Sequence, residues 1–204
     1  MYKTSIAPAG DGGNAFLGDI KVNPRLVLCA PPSPAAQMYG DQKVSIPLIL
    51  RSADKNNLEE LVQLGDAGFS LSDASKGGLT PLHCAARNGY TDICKHLLDN
   101  NCDPNAQDVF GDTPLHISIS YGHFDCASLI LQSQQLQPDV CDKLGRSPLH
   151  VLIESHSAAH VGDSLKAVVE ALLQRGFKAD AVDKMGRTPA SIAKSDELLA
   201  LLKQ

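Results

Sequence analysis

The chain has 204 residues, 43% of them hydrophobic and 20% charged, with a net charge of -5, which is the composition of a folded globular protein large enough for one or two domains. Its lysines and arginines are scattered without a run or stripe, so the basic footprint of a nucleic-acid binder is missing, and no apolar stretch reaches the length of a membrane span. Aromatic residues make up 4% and tryptophan is absent, so the core is expected to be Leu, Ile, Val and Ala in closely packed small helices.

The first residues, "MYKTSIAPAGDGG", contain no apolar signal core. Residues 1–44 mix Gly, Pro, Ala and Ser around one short β-prone run, "RLVLCA", and are expected to form a flexible arm. The six cysteines (Cys29, Cys84, Cys94, Cys102, Cys126, Cys141) include no CxxC pair and no zinc-like spacing. Reduced thiols in the cytoplasm or nucleus are the expectation, with no metal and no cofactor.

After the arm one phrase recurs: "SIPLILRSADKN" (45–56), "LTPLHCAARNGY" (79–90), "DTPLHISISYGH" (112–123), "RSPLHVLIESHS" (146–157) and "RTPASIAKS" (187–195). Its prolines stand at 47, 81, 114, 148 and 189, in steps of 34, 33, 34 and 41. Thr80, Thr113, Ser147 and Thr188 are hydroxyl residues suited to cap a helix, each followed by proline at the first helical position, where no amide hydrogen is needed. Leu82, Ala85 and Ala86, with Leu115, Ser118 and Ile119 and with Leu149, Leu152 and Ile153, give that helix one apolar face, and Gly89 and Gly122 end it. A second helix follows in "TDICKHLLDN", "FDCASLILQS" and "DSLKAVVEALLQRG". Gly78, Gly111, Gly145 and Gly186, each two residues before the capping hydroxyl, suit a tight turn in the connector.

A TPLH phrase at a period of about 33 residues resembles the ankyrin repeat family, over residues 46–204. The resemblance implies an all-α solenoid of helix-turn-helix units with β-turn connectors, the units lying near 46–74, 75–107, 108–141, 142–182 and 183–204, with the first and last copies as polar-faced caps. It also implies that His83, His116 and His150 are structural, bonding the backbone of the adjacent connector, and that function is non-catalytic recognition of a protein partner by a monomer. An inhibitory or targeting subunit of an enzyme is the alternative.

Specificity belongs where the copies differ. Carried over from the family, the connector tips are Lys76 and Leu79, then Val109, Phe110 and Asp112, then Lys143, Leu144 and Arg146, then Lys184, Met185 and Arg187; the first helices add Arg87, Asn88, Ser120, Tyr121, Glu154 and Ser155. Leu79, Arg87, Phe110, Asp112, Tyr121, Leu144, Arg146, Met185 and Arg187 are the candidate partner-binding residues. Phe110 and Tyr121 lead them, because aromatics and Arg dominate interface energetics. The alternative for apolar tips such as Leu144 and Met185 is that they pack on the neighbouring tip.

In the fourth unit the surplus "ESHSAAHVGDS" lengthens the turn between helices and puts His156 where glycine is expected. His156 and His160, four apart, are read as a solvated loop. Finally, "HLLDNNCDPNAQD" (96–108) resembles ankyrin sequences modified by the asparaginyl hydroxylase that also acts on oxygen-regulated transcription factors. Asn105 is the candidate, since Asp139 and Asp180 hold its place in later units; turn formation alone also accounts for an Asn there.

Overall fold

The computed structural model describes residues 16–17, 20–21, 42–156 and 162–203. The chain divides into two compact units, Met1–Lys43 and Val44–Gln204. In the first, β1 (Phe16–Leu17) and β2 (Ile20–Lys21) pair antiparallel, Phe16 opposite Lys21 and Leu17 opposite Ile20. The β-prone run at 25–30 lies outside the described residues.

Among the described residues ten helices follow, the first beginning just before the second unit. They are α1 (Gln42–Asp54), α2 (Leu58–Asp66), α3 (Pro81–Asn88), α4 (Thr91–Asp99), α5 (Pro114–Ser120), α6 (Phe124–Gln132), α7 (Pro148–His156), α8 (Asp163–Gln174), α9 (Pro189–Ile192) and α10 (Asp196–Leu202). The first helices α3, α5, α7 and α9 stack in one layer and the second helices α4, α6, α8 and α10 in another. The first copy departs from the expected boundary: α1 begins at Gln42, upstream of the proline phrase, so Pro47 lies inside the helix and does not open it.

The other copies start as their residues dictate. Thr80 and Thr113 are extended residues whose hydroxyls accept the amides of His83 and His116, with proline at the first helical position. The histidine completes the cap, its Nδ1 accepting the amide of Thr80 at 3.1 Å, of Thr113 at 3.3 Å and, in the fourth unit, of Ser147 at 3.2 Å. That leaves the hydrogen on Nε2, which donates to the carbonyl of Asp112, Arg146 or Arg187 in the next connector, at 3.1, 3.1 and 3.0 Å. Each imidazole therefore joins one unit to the next, which is its structural role. In the last copy Ser191 replaces histidine and reproduces the local half of this device, its Oγ accepting the Thr188 amide at 2.9 Å while its own amide donates to Thr188 Oγ1 at 3.2 Å. A serine is too short for the inter-unit bond.

Each connector is a hairpin closed by two backbone bonds: Ser75 N to Leu79 O at 2.8 Å, Asp108 N to Asp112 O at 3.0 Å, Asp142 N to Arg146 O at 3.0 Å and Asp183 N to Arg187 O at 2.9 Å, with the amides of Gly78, Gly111, Gly145 and Gly186 donating back to the carbonyls of Ser75, Asp108, Asp142 and Asp183. Gly78 and Gly111 have φ of +74° and +80°, and a Cβ would stand 2.7 Å from Gln107 O or Lys143 N of the following hairpin. Both conformation and space demand glycine there.

The interior forms two buried clusters, one around Ile49, Leu61, Leu82, Ile93 and Leu97, the other around Leu115, Ile119, Leu149, Leu152, Val168 and Leu172, with Leu98 packed against both. Cys84, Cys94, Cys102 and Cys126 are buried free thiols and Cys141 is half-buried; burial pushes the Cys84 and Cys102 thiols up. Cys29 lies outside the described residues.

The fourth unit corrects one expectation. His156 does not belong to a solvated loop: it is the last residue of α7, with Nδ1 donating to Leu152 O at 3.3 Å and its ring 5.2 Å from that of Phe124 in the preceding unit. Its ring fills the space beside Gly122, whose Cβ would stand 3.4 Å from Nε2. His160 lies outside the described residues.

Candidate functional site

The connector hairpins and the first helices carry every candidate partner-binding residue, and the structure divides these into three groups. The first is exposed and apolar or aromatic: Phe110 is 68% accessible, Tyr121 61%, Leu144 52% and Met185 69%. Leu144 and Met185 are thus not absorbed into neighbouring tips. Tyr121 stacks on His123, ring centroids 6.5 Å apart and nearly parallel.

The second group is charged and already engaged. Arg146 meets Asp142 at 2.7 Å and Glu154 at 2.8 Å, and Arg187 meets Asp183 at 2.8 Å and the same Glu154 at 3.3 Å. Glu154, projecting from α7, therefore joins the connectors of the fourth and fifth units in one chain of ions. The two guanidiniums hold its carboxyl below the usual range, Arg146 foremost by its hydrogen bond. Asp142 and Asp183 are buried, because Oδ1 of each accepts two amides of its own hairpin: those of Leu144 and Arg146, and those of Met185 and Arg187. Arg87 is paired as well, with Asp54 of α1 at 2.7 Å; the Asn88 amide at 3.0 Å and this guanidinium lower the Asp54 pKa. These three arginines hold the stack's own geometry while remaining partly exposed.

Leu79 and Asp112 form the third group. Leu79 is half-buried and its carbonyl closes the first hairpin. Asp112 occupies the hairpin place that Arg146 and Arg187 fill later, so the i,i+4 pair that closes Asp142 on Arg146 becomes Asp108 beside Asp112. Burial, then the charges of Asp108 and Asp142, push the Asp112 carboxyl up.

Sequence reasoning missed the anchoring carboxylates Asp54, Asp142 and Asp183. The repeated D-x-x-G-R of 142–146 and 183–187 carried that signal for two of them, since acid and base four apart in a closed hairpin face each other. Asn105 is half-buried, its Nδ2 donating to Asp103 Oδ1 at 3.1 Å and to Gln135 O at 2.8 Å, while its Oδ1 accepts the Gln137 amide at 2.8 Å. Among the described residues no group of three His, Cys, Asp or Glu side chains is placed to hold a metal ion, and no helix is long and apolar enough to cross a membrane.

Comparison with known proteins places this geometry. Ankyrin repeats, in three copies, match residues 40–108 and 91–161. The chain is 31% identical over 149 residues to the transient receptor potential cation channel subfamily A member 1 homolog of Caenorhabditis elegans, covering 72% of this chain and 11% of that protein. It is 32% identical over 121 residues to NF-kappa-B inhibitor alpha of Gallus gallus (58% and 38%), and 38% identical over 113 residues to palmitoyltransferase AKR1 of Lachancea kluyveri (54% and 14%). It thus spans well under two thirds of the length of these relatives. Their names describe unlike proteins, a channel, an inhibitor and a transferase, and what they share with this chain is the repeated unit, a non-catalytic protein-interaction fold in general. With capped helix pairs, histidine links and hairpin connectors in register with three matched copies, the chain belongs to the ankyrin repeat family.

Proposed function

We propose that this protein is a non-catalytic adaptor or scaffold that binds a protein partner through its connector tips and the concave face of its first helices, acting as a monomer in the cytoplasm or nucleus without cofactor or nucleic acid. The observation that carries the reading is the exposure of Phe110, Tyr121, Leu144 and Met185 at tips and helix ends of a stack whose other large apolar groups are mostly buried; aromatic anchors that fold no core are what an interface uses. An inhibitory or targeting subunit of an enzyme is the second reading, favoured by the likeness to a relative whose name is that of an inhibitor. Partners would be captured from cell extract on the wild-type protein and on Phe110→Ala, then bound as purified components. Phe110→Ala and Tyr121→Ala are each expected to lower affinity by about 2 kcal/mol, with unfolding midpoints shifted by no more than about 0.5 kcal/mol. Equal loss of folding and binding would make these residues part of the packing and end the proposal.

A further inference from the structure

The four connector hairpins are tied edge to edge in one register. Val109 N donates to Gly77 O at 3.0 Å, Lys143 N to Phe110 O at 3.0 Å, and Lys184 N to Leu144 O at 2.9 Å. Residues at the same place in each hairpin consequently form a row, Gly77, Phe110, Leu144 and Met185, each just before the glycine of positive φ. The row begins without a side chain and continues with three exposed apolar ones.

The residue preceding each member is Lys76, Val109, Lys143 or Lys184, so the last two tips repeat one pairing, Lys143 with Leu144 and Lys184 with Met185. Both lysines are exposed; the Lys184 ammonium donates to Lys143 O at 2.7 Å, and among the described residues neither lysine has a carboxylate partner. The carboxylates of these two hairpins, Asp142 and Asp183, are buried and held by Arg146 and Arg187. In a chain of net charge -5, the Leu144 to Met185 end of the row thus offers positive charge beside apolar surface. The Phe110 hairpin, with Asp108 and Asp112, does not.

We propose, resting on the reading that the tips are the binding surface, that this row takes an extended acidic segment of another protein, its apolar side chains lying on Phe110, Leu144 and Met185 and its Asp or Glu side chains on Lys143 and Lys184. Each hairpin is two strands wide, about 10 Å, while a peptide in the extended polyproline II conformation advances about 3.1 Å per residue and returns every third side chain to one face. The occupant's apolar residues are therefore spaced about three apart, and the segment covers about seven residues. Apolar contacts supply the attraction; exposed ion pairs, screened by salt, select the charge of the partner.

The test is selection of random linear peptides, displayed on phage, against the full-length protein and against Lys143→Glu/Lys184→Glu, followed by titration of a synthetic peptide of the enriched pattern. Wild-type protein is expected to enrich peptides with Asp or Glu among Leu, Ile, Phe or Met at that spacing, and the double variant to enrich Lys or Arg in their place. Phe110→Ala and Met185→Ala are each expected to weaken the peptide roughly tenfold, with circular dichroism unchanged, and added salt to weaken it further. Peptides sensitive to Phe110→Ala but lacking the acidic bias would overturn this inference and leave the tips as the binding surface. Peptides indifferent to every tip substitution would overturn both, and a failure to enrich any linear peptide would overturn the extended segment. Light scattering that showed a dimer dissociated by Phe110→Ala would give the row to a second copy of the chain instead.

Discussion

Histidine does here with one ring what a cap and a crosslink would do separately, and it does so only while neutral. Burial lowers the His116 pKa from 6.5 to about 4 and lowers that of His83 in the same direction. Between these values the unfolded chain binds protons that the folded chain does not. The stability these groups contribute is therefore complete above pH 6.5 and is lost as pH falls toward 4, by about 3 kcal/mol for His116 over the whole interval. Urea midpoints measured from pH 7.5 to 4.5 are expected to fall with acidification, and His116→Asn, starting lower, to fall less steeply. Parallel slopes would mean that His116 is not the group being titrated. Asn105 is another residue whose role is inter-unit, since its amide reaches Gln135 and Gln137 of the next unit. We propose that it is also a hydroxylation site, which requires those bonds to open by local unfolding, as a repeat array permits. Incubation with the oxygenase, iron and 2-oxoglutarate, followed by peptide mapping, is expected to add one oxygen at Asn105. No addition, while a known ankyrin substrate reacts in the same tube, would leave it a turn-former alone.

At the scale of the element, Leu149 carries the clearest expectation. It is wholly buried on α7 within the cluster formed by α5, α6, α7 and α8, so Leu149→Ala is expected to cost about 2 to 5 kcal/mol, the range for truncating a packed core leucine. Chemical denaturation measures it, and a loss under 1 kcal/mol would mean that the neighbouring helices close over the space. The elements themselves were largely legible, because hydroxyl, proline and apolar spacing act within one turn of chain. The two boundaries read wrongly were those without such local marks. α1 starts before its proline, and α7 runs on to His156, because packing on Phe124 holds a residue that local pattern assigned to a loop.

Across the whole molecule, stacked units make nearest-neighbour contributions, so that distant segments matter little to one another. We propose that residues 1–41 form an arm separable from the repeats, the cut falling just before α1. Their removal is expected to leave the urea midpoint and cooperativity of the remaining chain nearly unchanged; a largely unfolded product would make the arm part of the repeat domain. The sequence by itself determined the period, the helix starts, the turn glycines and the family, since each is written within one unit and repeated three times or more. It also picked out Phe110, Tyr121, Leu144 and Met185 as candidates, because they break the repeat at places where the pattern leaves residues outside. Only the tertiary structure decided which candidates are unengaged. The partners of Arg87, Arg187 and Asn105 stand about one repeat away in sequence, and so do the hairpins whose backbone bonds align the tips. Such contacts are set by how one unit lies on the next, which no local spacing records.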